Sequence, residues 1–536
     1  MSVGARLIQA GVAAILLAGM ASPALAETAT STPASSPRAE ITTTATHVPP
    51  AHSPSATLTP TPSLTSTPTP TGTGTVVPST TTTPAATPTE TAAAASLAQS
   101  RTTTPTVTAT ATVTPTPVAT PIPNLRPIAD SSGTVSTFST TGQIDTSGPF
   151  FQSLGTNGRS CSSCHVFSDG WSVSPAHVQQ RFNATQGLDP IFRPVDGADS
   201  PDMDVSTIDA RRIAYSMLLR KGVIRVGIGV PAGAEFSLKA VNDPYHHASA
   251  NELSLFRRPL PATNLPFLSA IMWDGREPSL ASQANDATLG HAQAASPLTD
   301  EEKSQIVAFE SANFTAQAVA AGVGDLTSGG AQGGAQNLSK QNFFIGINDP
   351  LGQNPSGASF NPNAFTIYSA WLNSPDPAKQ AVARGEDLFN NKPINITGVG
   401  GLNDALGKSV IQGTCSMCHD ALNVGDHSVK APLNIGVADT GGHPGLDMSG
   451  MPSYTLSCPT GDVQTTDPGR ALITGKCADI GKFKGPILRG LAARAPYFHN
   501  GSAATLNDAV TFYNSRFSIG LSAQEQSDLV SFLQAL

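Results

Sequence analysis

Twice in this chain a cysteine pair two residues apart is followed at once by histidine, as Cys161-Ser162-Ser163-Cys164-His165 and as Cys415-Ser416-Met417-Cys418-His419. No other feature constrains the fold more. C-x-x-C-H is the attachment pattern of haem c: the two thiols form thioethers to the porphyrin vinyl groups, and the histidine ligates iron on one face. A lone C-x-x-C is equally the start of a zinc or dithiol site. The adjoining histidine in both copies favours haem. The spacing therefore predicts two covalent haem c groups, with His165 and His419 as proximal iron ligands.

The chain has six cysteines, so the two motifs leave one pair, Cys458 and Cys477. In an oxidising compartment these are expected to form a disulfide. Closing a loop of roughly 20 residues is worth about 3 kcal/mol in the chain-entropy account. Export is the reading of the N-terminus. Arg6, the apolar run Ala10 to Met20 and the small-x-small site Ala24-Leu25-Ala26 make residues 1–26 a signal peptide, which places the mature protein in the periplasm or outside the cell. The run is too short for a comfortable bilayer span, and no later stretch is long and apolar enough for a transmembrane helix.

From Glu27 to Pro123 the chain is mainly Thr, Pro, Ala and Ser, and between His52 and Pro123 its only charged side chains are Glu90 and Arg101. Such a segment buries too little apolar surface to offset its ordering entropy. It is expected to be a disordered linker or stalk. A net charge of −8 lacks the basic face that nucleic acid requires, so no nucleic-acid partner is expected.

The folded part is expected from Asn124 and looks duplicated. Residues 124–375 form one half and 376–536 the other. Lys379 to Phe389 has helical periodicity before the second motif; Phe150, Phe151 and Leu154 precede the first. Thr299–Glu302 and Ser522–Glu525 are capping boxes that open a closing helix in each half. Asp274-Gly275 followed by Ser279-Leu280 aligns with Asn500-Gly501 followed by Thr505-Leu506, which gives the same turn into a helix in both halves. The fold class expected is mainly α: two class I cytochrome c domains packed together. The repeat also predicts an inequality. Twelve residues after Gly501 stands Tyr513; twelve after Gly275 stands Ala287. Tyr513 offers a phenol oxygen to the second iron, or is simply a packed core tyrosine. Ala287 offers nothing, which leaves the first iron with an open face.

Ala495-Pro-Tyr-Phe-His-Asn-Gly501, Thr505-Leu506 and Phe512-Tyr513, together with Met272-Trp-Asp-Gly-Arg276 and Gln283-Ala284, resemble the bacterial di-haem cytochrome c peroxidase family. In its Tyr at position 513 the chain is similar to the methylamine-dehydrogenase maturase-type di-haem oxidases, where true peroxidases usually have Met. The resemblance implies that hydrogen peroxide is reduced at the N-terminal haem with electrons relayed through the C-terminal haem. It implies Tyr513 as second ligand of the latter, Trp273 between the haems, Gln283 in the peroxide pocket and His499 near a propionate of the second haem. It also implies a calcium ion held by the backbone of Arg494 and Pro496.

One departure stands out. Where the family places an acid/base Glu this chain has Gln293, and no carboxylate lies between Asp286 and Asp300. His291 is the alternative, either as acid/base or as distal ligand. His177 is either a resting-state ligand or a surface histidine. The implied partners are peroxide or dioxygen and a small electron-donor protein or organic substrate. Two other readings stay open: a plain electron-transfer cytochrome, and a di-haem dioxygenase of the polyisoprene-cleaving kind.

Overall fold

Local signals in the sequence mark where helices begin. Thr299 Oγ1 accepts from Glu302 N at 3.2 Å while the Glu302 carboxylate accepts from Thr299 N at 2.8 Å, opening the helix Asp300–Ala312. Ser522 and Glu525 make the same reciprocal pair ahead of Ala523–Gln534. Ser279 caps Leu280–Gly290, and Thr505 caps Leu506–Arg516 with Asp508 closing a third box. A cap of this kind contributes about 1 kcal/mol.

The computed structural model describes residues 120–536. The signal peptide and nearly all of the Thr/Pro-rich segment lie outside the described residues. Structure begins slightly before Asn124: Ile122–Pro123 pairs antiparallel with Gln143–Ile144, because Ile122 packs beside the buried Ile144.

Among the described residues there are ten α-helices and thirteen short strands, the strands arranged in five antiparallel sheets. The architecture is thus mixed rather than mainly α. The β-structure comes from the long connections around the helices. Gly133–Ser139 pairs with Asn313–Ala320 at the centre of a four-stranded sheet. Ser453–Cys458, which alternates half-buried and buried positions, joins Gly461–Thr465 on one side and Ser237–Asn242 on the other. Cys458 and Cys477 form the expected disulfide beside this sheet. No helix among the described residues is long and apolar enough to cross a membrane.

In the second half the helix Pro377–Asn391 crosses Ala523–Gln534, with Phe365, Phe389 and Phe532 packed edge-to-face at 5.2 to 5.7 Å. Gly385 permits the crossing: a Cβ there would lie 2.1 Å from the backbone oxygen of Asp528. Gly385→Ala is therefore expected to destabilise the protein by about 1–3 kcal/mol, read from denaturant unfolding, although alanine is the better helix former. The first half lacks this long helix. Only a single helical turn, Pro149–Phe151, precedes Cys161; Pro149 opens it and Gln152, in an extended conformation, ends it.

The repeated turn is reproduced in detail. Ile271 bridges Glu277, and Tyr497 bridges Ala503 at equivalent positions. Met272 and Phe498 both have φ +65°, and the following glycines, Gly275 and Gly501, have φ +65° and +66°. Two consecutive left-handed sites so close together explain why each turn carries glycine at the second.

Candidate functional site: two cavities joined by a tryptophan

Each Cys-x-x-Cys-His stands on a short turn, Cys161–Ser163 and Cys415–Met417, at the edge of a cavity. His165 Nδ1 donates to the Trp171 carbonyl at 3.3 Å; His419 Nδ1 donates to Gly425 at 2.7 Å, six residues on in both cases. These bonds fix the tautomer and leave Nε2 as the ligating nitrogen. Burial lowers His165 to about 4 and lowers His419 in the same direction, so both rings are neutral. Burial also pushes Cys161, Cys415 and Cys418 up to about 12. None of the four motif cysteines is in a disulfide.

The first cavity has about 1530 Å³ of empty space and the second about 1810 Å³, both partly open to solvent. Gln283, Ala287 and His291 line the first, with Cys161, Cys164 and His165. His291 Nδ1 pairs with Asp196 Oδ2 at 2.6 Å, and Arg159 holds the same carboxylate. Burial alone would raise Asp196, but Arg159 and His291 outweigh it and keep the carboxylate below its ordinary value. The ring thus keeps Nε2 for the cavity.

Tyr513 and His499 line the second cavity with Cys415, Cys418 and His419. Burial, then the neighbouring cysteines, raises the Tyr513 phenol above its usual range. His499 is wholly buried and stacked on Phe483 at 3.9 Å; neither ring nitrogen has a partner, and burial lowers it to about 4.

Trp273 lines both cavities. Its indole N–H donates to the Arg258 carbonyl at 2.9 Å, and its ring meets His499 edge-on at 6.3 Å. Arg494 also lines both cavities, with Nη2 unpartnered. Its carbonyl accepts from Arg258; Pro496 lines the second cavity. His177 lines neither cavity and pairs with Asp169. Gln293 faces Asn157 rather than the first cavity.

Haem c fits these residues. Two neutral buried thiols and a tautomer-locked imidazole share each cavity wall, and the unpartnered Nη2 of Arg494 and one ring N–H of His499 are donors awaiting anionic oxygens such as haem propionates.

No protein-family model matches the chain. Among curated proteins it is 41% identical over 95 residues to "Cytochrome-c peroxidase IdrP2" of Denitromonas iodatirespirans, covering 16% of this chain and 24% of that protein. It is 28% identical over 187 residues to "Cytochrome c551 peroxidase" of Pseudomonas aeruginosa, covering 33% and 44%. Over these stretches the chain is similar to bacterial cytochrome c peroxidases. The matched stretches span less than half the length of these relatives. A solved MauG-like protein associated with microbial copper homeostasis is a structural neighbour at 16% identity and TM-score 0.32, over 72% of this chain and 87% of that one.

The first cavity also holds a carboxyl that the sequence pattern did not flag. Glu310, four residues after Ile306 on the helix Asp300–Ala312, is 5% exposed, lines the cavity and has an unpartnered Oε2. Burial pushes it up to about 8 from an ordinary 4.5. The signal was available: a lone Glu on the inward face, i+4 from an apolar position, in a helix whose other acids crowd its first turn. Folded protein holds a proton on Glu310 that the unfolded chain releases above 4.5. Its contribution is complete below that pH and is lost as pH rises toward 8. Glu310→Gln is therefore expected to flatten the fall in stability between pH 5 and 8, by on the order of a few kcal/mol, in unfolding curves at the two pH values.

Proposed function

We propose that this chain is an exported di-haem peroxidase that reduces hydrogen peroxide at the Cys161/Cys164/His165 cavity with electrons delivered through the Cys415/Cys418/His419 cavity. The observation that carries the reading is an unequal pair of cavities with one shared aromatic: Ala287 lines the first, Tyr513 the second, and Trp273 both. Relatives named as cytochrome c peroxidases support the same reading.

Haem iron held by His165 would supply the two-electron cleavage of the peroxide O–O bond, with two protons consumed and two waters formed. The chain's own residues do the rest. His291, held at Nδ1 by Asp196, presents Nε2 as a proton carrier near the open face. Glu310 keeps a proton on its buried carboxyl near neutral pH and stands in for the carboxylate that the Gln293 position lacks. Gln283 offers an amide to orient peroxide. Tyr513, which lines the second cavity, would offer a haem iron there a hard oxygen donor, which would close that site to small molecules and favour the oxidised state. Trp273 is the path for electrons between the cavities. Residues 1–26 direct export. The donor is a small protein or an organic substrate.

An electron-transfer-only role would need a sixth ligand at the first site, and His291 is one side chain lining that cavity able to supply it, beside Met272. The function is tested by following peroxide-dependent oxidation of a reduced c-type cytochrome by the full holoprotein. Two electrons consumed per peroxide support the proposal. Haems that reduce and reoxidise while the donor stays reduced in the presence of peroxide contradict it.

A further inference from the structure

At the junction of the two cavities, the guanidinium of Arg258 is surrounded by backbone oxygens. Its Nη1 donates to Lys221 at 3.2 Å and Gly222 at 2.9 Å; its Nη2 donates to Arg494 at 3.1 Å and approaches Ala495 at 3.4 Å. The residue is 5% exposed and lines both cavities. Its own backbone is pinned as well, by N–H to His499 O at 2.6 Å and by the Trp273 indole on its carbonyl at 2.9 Å. The cradle is shaped for this group. Gly222 ends the helix Ser216–Lys221 with φ +58°, and a Cβ there would fall 2.1 Å from Arg258 Nη1.

Four carbonyls converging on one positive charge is what a calcium site looks like, with a guanidinium in place of the ion. The calcium implied by the family resemblance would need the Arg494 carbonyl at a metal–oxygen distance of about 2.4 Å. That oxygen already faces Arg258, and the Arg494 side chain, buried beside it, donates to the carbonyls of Gly170 and Arg489. Two buried guanidinium groups and no carboxylate bonded to either make the place hostile to a divalent cation. Burial lowers Arg258 to about 10 and Arg494 to about 9, and both remain cationic at neutral pH. The implied calcium and the residues present do not fit together.

We propose that the Arg258 guanidinium is this chain's built-in cation at the junction of the two cavities, taking the place of a divalent ion, so that the protein neither binds nor needs calcium. With its Nη hydrogens held by the four carbonyls, the charge at the wall of both cavities acts through its field on carboxylates entering from either, where haem propionates would bring them. The inference rests on the haem reading of the cavities but not on peroxide turnover, and its test reads no activity.

The full holoprotein is dialysed and its metal content measured; its melting temperature and haem absorption spectrum are then compared with the chelator EGTA and with millimolar calcium chloride. Calcium well below one per chain, with melting and spectrum unmoved by either addition, is expected. About one calcium per chain, removable by chelator with a shift in melting or spectrum, would overturn the proposal. Arg258→Lys and Arg258→Met separate charge from packing. The Lys variant is expected to melt between the parent and the Met variant, and the two variants melting together would remove the case for the charge. If the Met variant does not fold, the parent's metal content still decides.

Discussion

Cys161→Ser with Cys164→Ser is expected to give a chain that carries one haem instead of two and turns over no peroxide. The effect should be all-or-none because each cavity has its own thiol pair and its own histidine. The second cavity is walled mainly by residues after Phe389, including Tyr513, Leu529 and Leu533, and its packing does not depend on the first thiols. A pyridine haemochrome assay should read half the parent's haem per chain, and the remaining haem should keep the absorption of the second site. Cys415→Ser with Cys418→Ser is the control: haem is halved again, but the site that remains is the one that binds small ligands. Equal ligand binding by both double variants would mean that the cavities are equivalent, contrary to the reading of Ala287 and Tyr513.

Trp273→Leu is the second large effect. The indole lines both cavities, and its replacement removes the aromatic group between them. Turnover is expected to fall on the order of a hundredfold, equivalent to about 2.7 kcal/mol in the barrier. KM for peroxide and the resting spectra should be unchanged, because Trp273 is not a ligand at either site. Trp273 also donates to the Arg258 carbonyl at 2.9 Å, so some loss of stability accompanies any replacement. Trp273→Phe keeps an aromatic ring while losing that same hydrogen bond. A Phe variant that retains much more activity than the Leu variant assigns the effect to electron passage; equal losses assign it to the missing hydrogen bond.

Much of the site was legible in the sequence because its signals are local. The Cys-x-x-Cys-His motifs, the caps at Ser279, Thr299, Thr505 and Ser522, and the Asp/Asn-Gly turns each depend on a few consecutive residues, and the caps and turns form as expected. The disulfide was legible by count, since four of six cysteines were already committed. The β-structure was not, because its pairings are remote. Ser237–Asn242 finds Ser453–Cys458 across more than two hundred residues, and neither strand announces its partner. The same holds for charge. Arg258 gives no local hint that its guanidinium will meet the carbonyls of residues 221, 222 and 494, and Glu310 looks like any helical acid until its helix turns inward. Spacing alone singles out Gln293, where the resemblance led one to expect a Glu. What spacing does not register is a carboxyl that reaches the same cavity from another helix.

Ligand stoichiometry reads the inequality of the two sites. Ferrous holoprotein titrated with carbon monoxide, or ferric holoprotein with cyanide, should bind one equivalent per chain at the haem of Cys161 and Cys164, while the haem beside Tyr513 keeps its spectrum. No binding in any redox state, as His291 ligation would give, or two equivalents per chain, as an uncoordinated Tyr513 would give, would contradict the account.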